Sequence, residues 1–224
     1  MRPIYLLLKI SLNISLRLFY KRFFVYRKHY KFFGSTIYVS NHPNSFMDPI
    51  MIGAVNIPIV HFMTRSDVFK WWLKPVLWAS HMLPIYRQHD GHDTKGKNHD
   101  VFNKVNKSLK IGRNILIFGE GFTDDIPIRG LKPIKKGPVR MGFGALESIN
   151  WKKKIYICGM GVSYTDRNTV GSEFVVDNAT KICLNDYKEE YLEHPSKVIN
   201  ELTKRIEKDM QECIVYVANP KFYS

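Results

Sequence analysis

His42 and Asp48 stand with five residues between them, directly after the β-branched and aromatic run Ile37-Tyr38-Val39, and Asp48 is the first acidic side chain of the chain. An imidazole held at a strand tip beside a carboxylate is a base with its orienting partner. The carboxylate accepts the Nδ1 proton and fixes the tautomer, which leaves Nε2 able to take a proton from a hydroxyl. No serine or cysteine is obviously partnered with the pair, so the chemistry suggested is direct transfer to a substrate hydroxyl rather than a covalent intermediate on the protein. A plainer reading fits the same residues: His42 caps a turn, and Asp48 caps a helix opened by Pro49.

Two further positions repeat the pattern of a strand delivering a polar group. Met82 to Tyr86 reads as a short strand ending at Arg87, whose planar fork matches phosphate oxygens, or which closes a strand-end ion pair. Ile115 to Phe118 reads as a buried strand running into Gly119-Glu120-Gly121-Phe122-Thr123, where bracketing glycines let backbone approach a ligand closely. Glu120 there organises an acceptor site or serves structure alone. The basic stretch Ile128 to Lys136 follows, with Arg129, Lys132, Lys135 and Lys136, and Gly137-Pro138 then opens a helix from Val139 to Ile149. A helix N-terminus beside lysines can hold a phosphate. The segment Gln88 to Asn98, with His89, Asp90, His92, Asp93 and nearby His99, invites a metal reading, but no ligand pair sits on a recognisable scaffold. Gly91 and Gly96 mark it as a polar loop, and no metal site is expected.

The elements that must position these groups alternate. After Gly34-Ser35 come a strand over Thr36 to Val39, a short helix over Met47 to Val55, a strand over Ile57 to Met63 and a helix over Asp67 to Ser80 carrying Trp71, Trp72 and Trp78. These tryptophans pack a core or face a bilayer boundary, with core packing expected for at least one. Val101, Phe102, Val105 and Leu109 have helical spacing with Gly112 as the stop, Lys154 to Tyr164 reads as a strand broken by Gly159 and Gly161, and Pro195 to Cys213 reads as an amphipathic covering helix. Strands alternating with helices at this spacing predict an α/β fold with a mostly parallel central sheet flanked by helices, functional groups collecting at the carboxyl ends of the strands.

At 224 residues, with 45% hydrophobic and 24% charged side chains, the chain suits one globular α/β domain. Its formal net charge of +14 calls for an anionic partner: nucleic acid, a membrane surface or a phosphorylated substrate. The first 47 residues hold no Asp or Glu, yet carry Arg2, Lys9, Arg17, Lys21, Arg22, Arg27, Lys28 and Lys31 among Leu, Ile, Phe and Tyr. Basic charge mixed with large apolar side chains describes a segment lying on anionic lipid, the alternatives being a basic arm for nucleic acid or a solvated helix. Lys9 and Arg17 interrupt the apolar run from Pro3 to Leu18 well short of the roughly 18 to 20 residues a spanning helix requires, and no signal peptide is apparent. The recurrence of Lys9, Asn13, Arg17 and Lys21 favours an interfacial amphipathic helix, so residues 1–33 are expected to be a membrane-interface segment ahead of a domain over 34–224. Cys158, Cys183 and Cys213 form no C-x-x-C pattern, which points to a reducing compartment and, with the basic segment, to peripheral or monotopic attachment at a cytoplasmic face.

Taken in order, four blocks resemble the glycerolipid acyltransferase family of 1-acylglycerol-3-phosphate and glycerol-3-phosphate acyltransferases. Asn41-His42 through Asp48-Pro49 is similar to its histidine and aspartate motif, Leu83-Pro84-Ile85-Tyr86-Arg87 to its second block, Phe118-Gly119-Glu120-Gly121 to its third, and Cys158 through Tyr164 to its last hydrophobic strand. Five residues rather than the usual four separate His42 from Asp48. Gly119 stands where proline is common, and Phe122, Thr123 and Asp124 replace threonine, arginine and serine, so that Lys136, Arg129 or Lys135 would substitute for a phosphate-binding arginine. The resemblance implies an O-acyltransferase in phospholipid biosynthesis with His42 and Asp48 as its catalytic pair and Arg87, Glu120, Gly121, Thr123 and Lys136 around the substrate. It implies an acyl-coenzyme A or acyl carrier protein donor as co-substrate, no separate cofactor, and 1-acylglycerol-3-phosphate as acceptor, with glycerol-3-phosphate or a lyso-aminolipid as alternatives. A basic membrane-binding or nucleic-acid-binding module without chemistry would explain the charge equally well, though not three strand tips carrying His42, Arg87 and Glu120. Nucleic acid is not the expected partner, because the strands read as buried rather than as an exposed stacking face.

Overall fold

In the computed structural model, the described residues are 3–27, 35–44, 47–55, 60–66, 69–72, 74–79, 81–85, 94–121, 130–166 and 169–215. They form one sheet between two layers of helices. Helix α1 (Pro3–Phe19) precedes strand β1 (Arg22–Arg27), followed by β2 (Ser35–Ser40), α2 (Met47–Val55), β3 (Val60–Arg65), α3 (Lys74–Ala79) and β4 (Met82–Ile85). Then come α4 (Thr94–Lys110), β5 (Asn114–Phe118), α5 (Gly137–Ser148), β6 (Ile155–Tyr164), β7 (Glu173–Asn178), β8 (Ile182–Cys183), a short 3-10 turn (Leu184–Tyr187), α6 (Lys188–Glu193) and α7 (Pro195–Gln211). The strand order is β1-β7-β6-β2-β5-β3-β4, with β8 beside β6. Every pairing is parallel except those of β6 with β7 and with β8. The α/β fold with a mostly parallel sheet is therefore as expected from the alternating pattern.

Side-chain alternation sorts the core into two faces. Ile37, Val39, Ile115, Ile117, Ile155 and Ile157 point to one face, where α4, α5 and α7 cover them with Val105, Leu109, Phe143, Leu146, Leu202 and Ile206. Tyr38, Leu116, Met160, Val162, Phe174 and Val176 point to the other, against Leu16, Tyr20, Met51 and Ile52 from α1, the residue after it, and α2. All six residues of β2 are buried. This central strand is flanked on both sides, by β5 and β6, which fixes the height of whatever follows it.

The structure differs from the sequence reading in several places. Arg22–Arg27, read above within the membrane-interface segment, is an edge strand paired with Glu173–Asn178. Strand β6 runs unbroken through Gly159 and Gly161, because these glycines admit α7 and the turn that follows it rather than interrupt the ladder. A Cβ on Gly159 would come 2.8 Å from Met210 Cγ, and one on Gly161 would collide with the Cys213 backbone. Helix α4 begins at Thr94, inside the stretch read as a loop, and ends at Lys110, two residues before Gly112, whose φ of +85° suits glycine. Of the helix expected over Asp67 to Ser80 only Lys74–Ala79 is helical among the described residues, and Trp71 and Trp72 are exposed. The strand expected from Ile57 is described from Val60, and positions 56–59 lie outside the described residues, as do Tyr86 and the His89-to-Asp93 loop.

Candidate active site

Strands β2 and β5 lie side by side in register, Ser40 opposite Phe118, and each runs two residues past that pair to His42 and Glu120. The Gly119 N–H donates to the Ser40 carbonyl at 2.9 Å, carrying the ladder one step beyond the strands. Glu120 is 4% exposed and uses both carboxylate oxygens on backbone: Oε2 accepts the His42 N–H at 3.0 Å and Oε1 the Lys132 N–H at 3.1 Å. Burial pushes its carboxyl above the ordinary range, against the lowering effect of those two backbone donors. Glu120 thus clamps the loop after β2 to the basic loop after β5. Asn41 does the same on the other flank, where its side chain accepts the Val162 N–H at 2.8 Å and donates to the Val162 carbonyl at 2.9 Å.

Held on both sides, His42 turns its Nδ1 to Asp48 Oδ2 at 2.9 Å. Asp48 is fully buried in the first turn of α2, and its backbone N–H donates to the Asn44 carbonyl at 3.0 Å. Its Oδ2 also accepts the Asn44 N–H at 2.8 Å, while Oδ1 accepts the Tyr164 hydroxyl at 2.6 Å. A carboxylate has no hydrogen to give, so Nδ1 carries the proton and Nε2 is the acceptor nitrogen. Among the described residues Nε2 has no hydrogen-bond partner. The ring lies flat on Phe118, centroids 3.8 Å apart and planes 14° from parallel. The local turn that Asp48 helps to close and its bond to His42 are thus one arrangement, and α2 carries the carboxylate back across the longer loop.

The other residues singled out from the sequence fall into two groups. Gly121 is at the site with φ of +79°, and Lys135 lies against it, Nζ 2.9 Å from where a Cβ would be. Lys136 stands at the N-terminal end of α5 with an exposed side chain that makes no capping bond. Arg87, Thr123 and Arg129 lie outside the described residues. The loop bearing Lys132 and Lys135 is held three ways: by Glu120, by a bond from Lys135 N–H to the Gly119 carbonyl at 3.0 Å, and by Glu207 of α7, whose Oε2 accepts the Ile134 N–H at 3.2 Å. Sequence reasoning missed Tyr164, Phe118, Asn44 and Glu207 as supports of the site. Tyr164 ends β6 beside β2, so the same strand-tip criterion that picked out His42 would have found it. Among the described residues no group of three or more His, Cys, Asp or Glu side chains could hold a metal ion.

Comparison with known proteins places the chain beside a family model and a solved structure. The Acyltransferase family model matches residues 23–163, a span that runs from β1 to the penultimate residue of β6 and contains His42, Asp48 and Glu120. Among solved structures, the fold is similar to the crystal structure of the 1-acyl-sn-glycerophosphate (LPA) acyltransferase PlsC from Thermotoga maritima, at 15% identity and a TM-score of 0.54. That match covers 91% of this chain and 78% of the other. No curated protein matches the sequence.

Proposed function

The chain belongs to the Acyltransferase family, and on that premise we propose that it moves a fatty acyl group from an acyl thioester to the hydroxyl of 1-acylglycerol-3-phosphate, forming phosphatidic acid. The observation that carries this reading is the His42–Asp48 pair at the tip of the central strand, with Nδ1 engaged and Nε2 available. His42 Nε2 takes the proton of the acceptor hydroxyl as that oxygen attacks the thioester carbonyl. The tetrahedral adduct then expels the thiolate, which leaves as the thiol with the proton from the imidazolium. Asp48 orients the ring and stabilises the imidazolium, and base assistance of this kind contributes on the order of 10² to 10⁴ in rate. The donor is acyl-coenzyme A or an acyl carrier protein, whose acidic surface would suit a chain of net charge +14.

The acceptor phosphate is assigned to Arg87, with Lys135 over Gly121 as a second cation. Thr123 and Lys136 are retained as acceptor contacts on the strength of the family resemblance. Helix α1 is assigned to the lipid surface. Leu6, Leu7, Ile10, Ile14 and Leu18 are exposed along it while Leu16 is buried, and the chain around it is basic without acidic residues. Among the described residues no helix is long and apolar enough to cross a membrane. The exposed apolar row and the basic charge around it support placing α1 in the interface, and a cytoplasmic face is part of the same proposal.

The test is release of thiol from palmitoyl-coenzyme A by the purified protein, offered lysophosphatidate and glycerol-3-phosphate in parallel, with His42→Ala alongside. Stimulation by lysophosphatidate that the variant lacks is the expected result. Stimulation by glycerol-3-phosphate alone would reassign the acceptor, and full turnover by His42→Ala would remove His42 from the chemistry. Failure of both acceptors with both coenzyme A and carrier-protein donors would overturn the reading.

A further inference from the structure

Asp48 is fully buried, and a buried carboxylate tolerates no idle oxygen. Oδ2 serves His42 Nδ1 and the Asn44 N–H, whereas among the described residues Oδ1 has a single partner, the Tyr164 hydroxyl. Tyr164 lies one residue beyond the stretch matched by the family model. We infer that Tyr164 is a positioning residue of the acyl-transfer site: its O–H anchors Oδ1 so that Oδ2 stays aimed at His42. The inference rests on the His42–Asp48 reading above and adds to it the element that sets the carboxylate's rotation.

Three observations support a built anchor rather than an incidental contact. Tyr164 closes the antiparallel ladder of β6 with β7, opposite Phe174, so its backbone is fixed at the sheet's edge of the site. Its ring packs against Phe174 at 5.0 Å and against the buried Tyr20 at 6.1 Å, which leaves the phenol little rotational freedom. Burial, then the neighbouring Asp48, push its hydroxyl well above the ordinary tyrosine range, so it remains a donor throughout neutral pH. Without that donor, Oδ1 would turn toward water or toward Asn44, and Oδ2 would leave the line to Nδ1. Because Tyr164 reaches the acceptor only through Asp48 and His42, its loss should lower turnover and leave substrate binding alone.

The decisive variant is Tyr164→Phe, which keeps the ring and removes only the hydroxyl. For the full chain we expect kcat to fall about tenfold, as for a lost hydrogen bond to a charged group, with KM for palmitoyl-coenzyme A and for lysophosphatidate within about twofold of wild type. In an Asp48→Ala background the same substitution should cost less than about twofold more, since the group it positions is gone. Independently of turnover, the proton NMR resonance of His42 Nδ1–H, identified by its absence in His42→Ala, should shift in Tyr164→Phe. An unshifted resonance overturns the inference whether or not the protein transfers acyl groups. So does a loss in kcat that multiplies in full on top of Asp48→Ala. A wild type that releases no thiol would instead defeat the functional reading, and the resonance would still decide the role of Tyr164.

Discussion

Replacing Asp48 by asparagine removes charge from the dyad while keeping its shape. Three donors converge on this carboxylate, two on Oδ2 and one on Oδ1. Asparagine can serve the two on one side with its carbonyl oxygen and point its amide at Tyr164, whose hydroxyl can rotate to accept. Orientation of His42 therefore survives, and what disappears is the negative charge 2.9 Å from Nδ1. At an effective dielectric of about 20 that charge stabilises a unit positive charge by about 6 kcal/mol, and by about half as much if the imidazolium charge is shared between its nitrogens. Only the transition state carries that positive charge, so the loss falls on kcat and corresponds to about two to four powers of ten. The assay is thiol release from palmitoyl-coenzyme A at saturating lysophosphatidate, with circular dichroism confirming the fold of Asp48→Asn. A kcat within about threefold of wild type would refute the argument, because no arrangement in which the carboxylate stabilises an imidazolium at this distance allows so small a change.

Other expectations concern stability and the lipid surface. Glu120 is shifted upward by burial, so its contribution to stability is fully present below the ordinary 4.5 and is lost as pH rises through the higher value of the folded state. The melting temperature of Glu120→Gln relative to wild type should accordingly increase as pH is raised upward from about 4.5, read by thermal denaturation, and a constant difference would contradict the burial argument. Leu7 and Leu18 are 69% and 81% exposed on α1, and replacing both with glutamate should lower partitioning onto vesicles of phosphatidylcholine and phosphatidylserine by about tenfold or more. Equal sedimentation of the variant with vesicles would remove α1 from the membrane contact.

What could be read from the sequence follows how far apart interacting residues lie. His42 and Asp48 are close enough in the chain for turn chemistry to reveal them, and Glu120 is flagged by glycines on either side. Tyr164 sits at a strand tip and could be singled out on that ground, but its pairing with Asp48 could not be read, because the two lie 116 positions apart. The same limit hid β1: Arg22–Arg27 shows basic and aromatic residues without clear alternation, and only its pairing with β7 makes it a strand. At α4 the misleading signal was composition. Its first turns are polar and contain Gly96, while the apolar positions that dock it, Val101, Val105 and Leu109, come later. Gly159 and Gly161 misled in the opposite direction, since glycine within a strand signals either a break or a close approach by another element, and here α7 and the turn after it make the approach.

The pairing of Arg22–Arg27 with Glu173–Asn178 bears on the order in which the molecule can be assembled. Emerging from a ribosome, the first strand has no neighbour until most of the chain has followed it. The central strand waits likewise for Ile155–Tyr164 before both its edges are filled. Parallel sheets with such distant pairings fold slowly, because chain closure entropy must be overcome before the contacts form. During that interval α1, with its row of exposed leucines and isoleucines, is already synthesised and without the rest of its sheet. A nearby bilayer would shelter that apolar surface, so the lipid surface assigned to the finished protein would also act as its chaperone during synthesis.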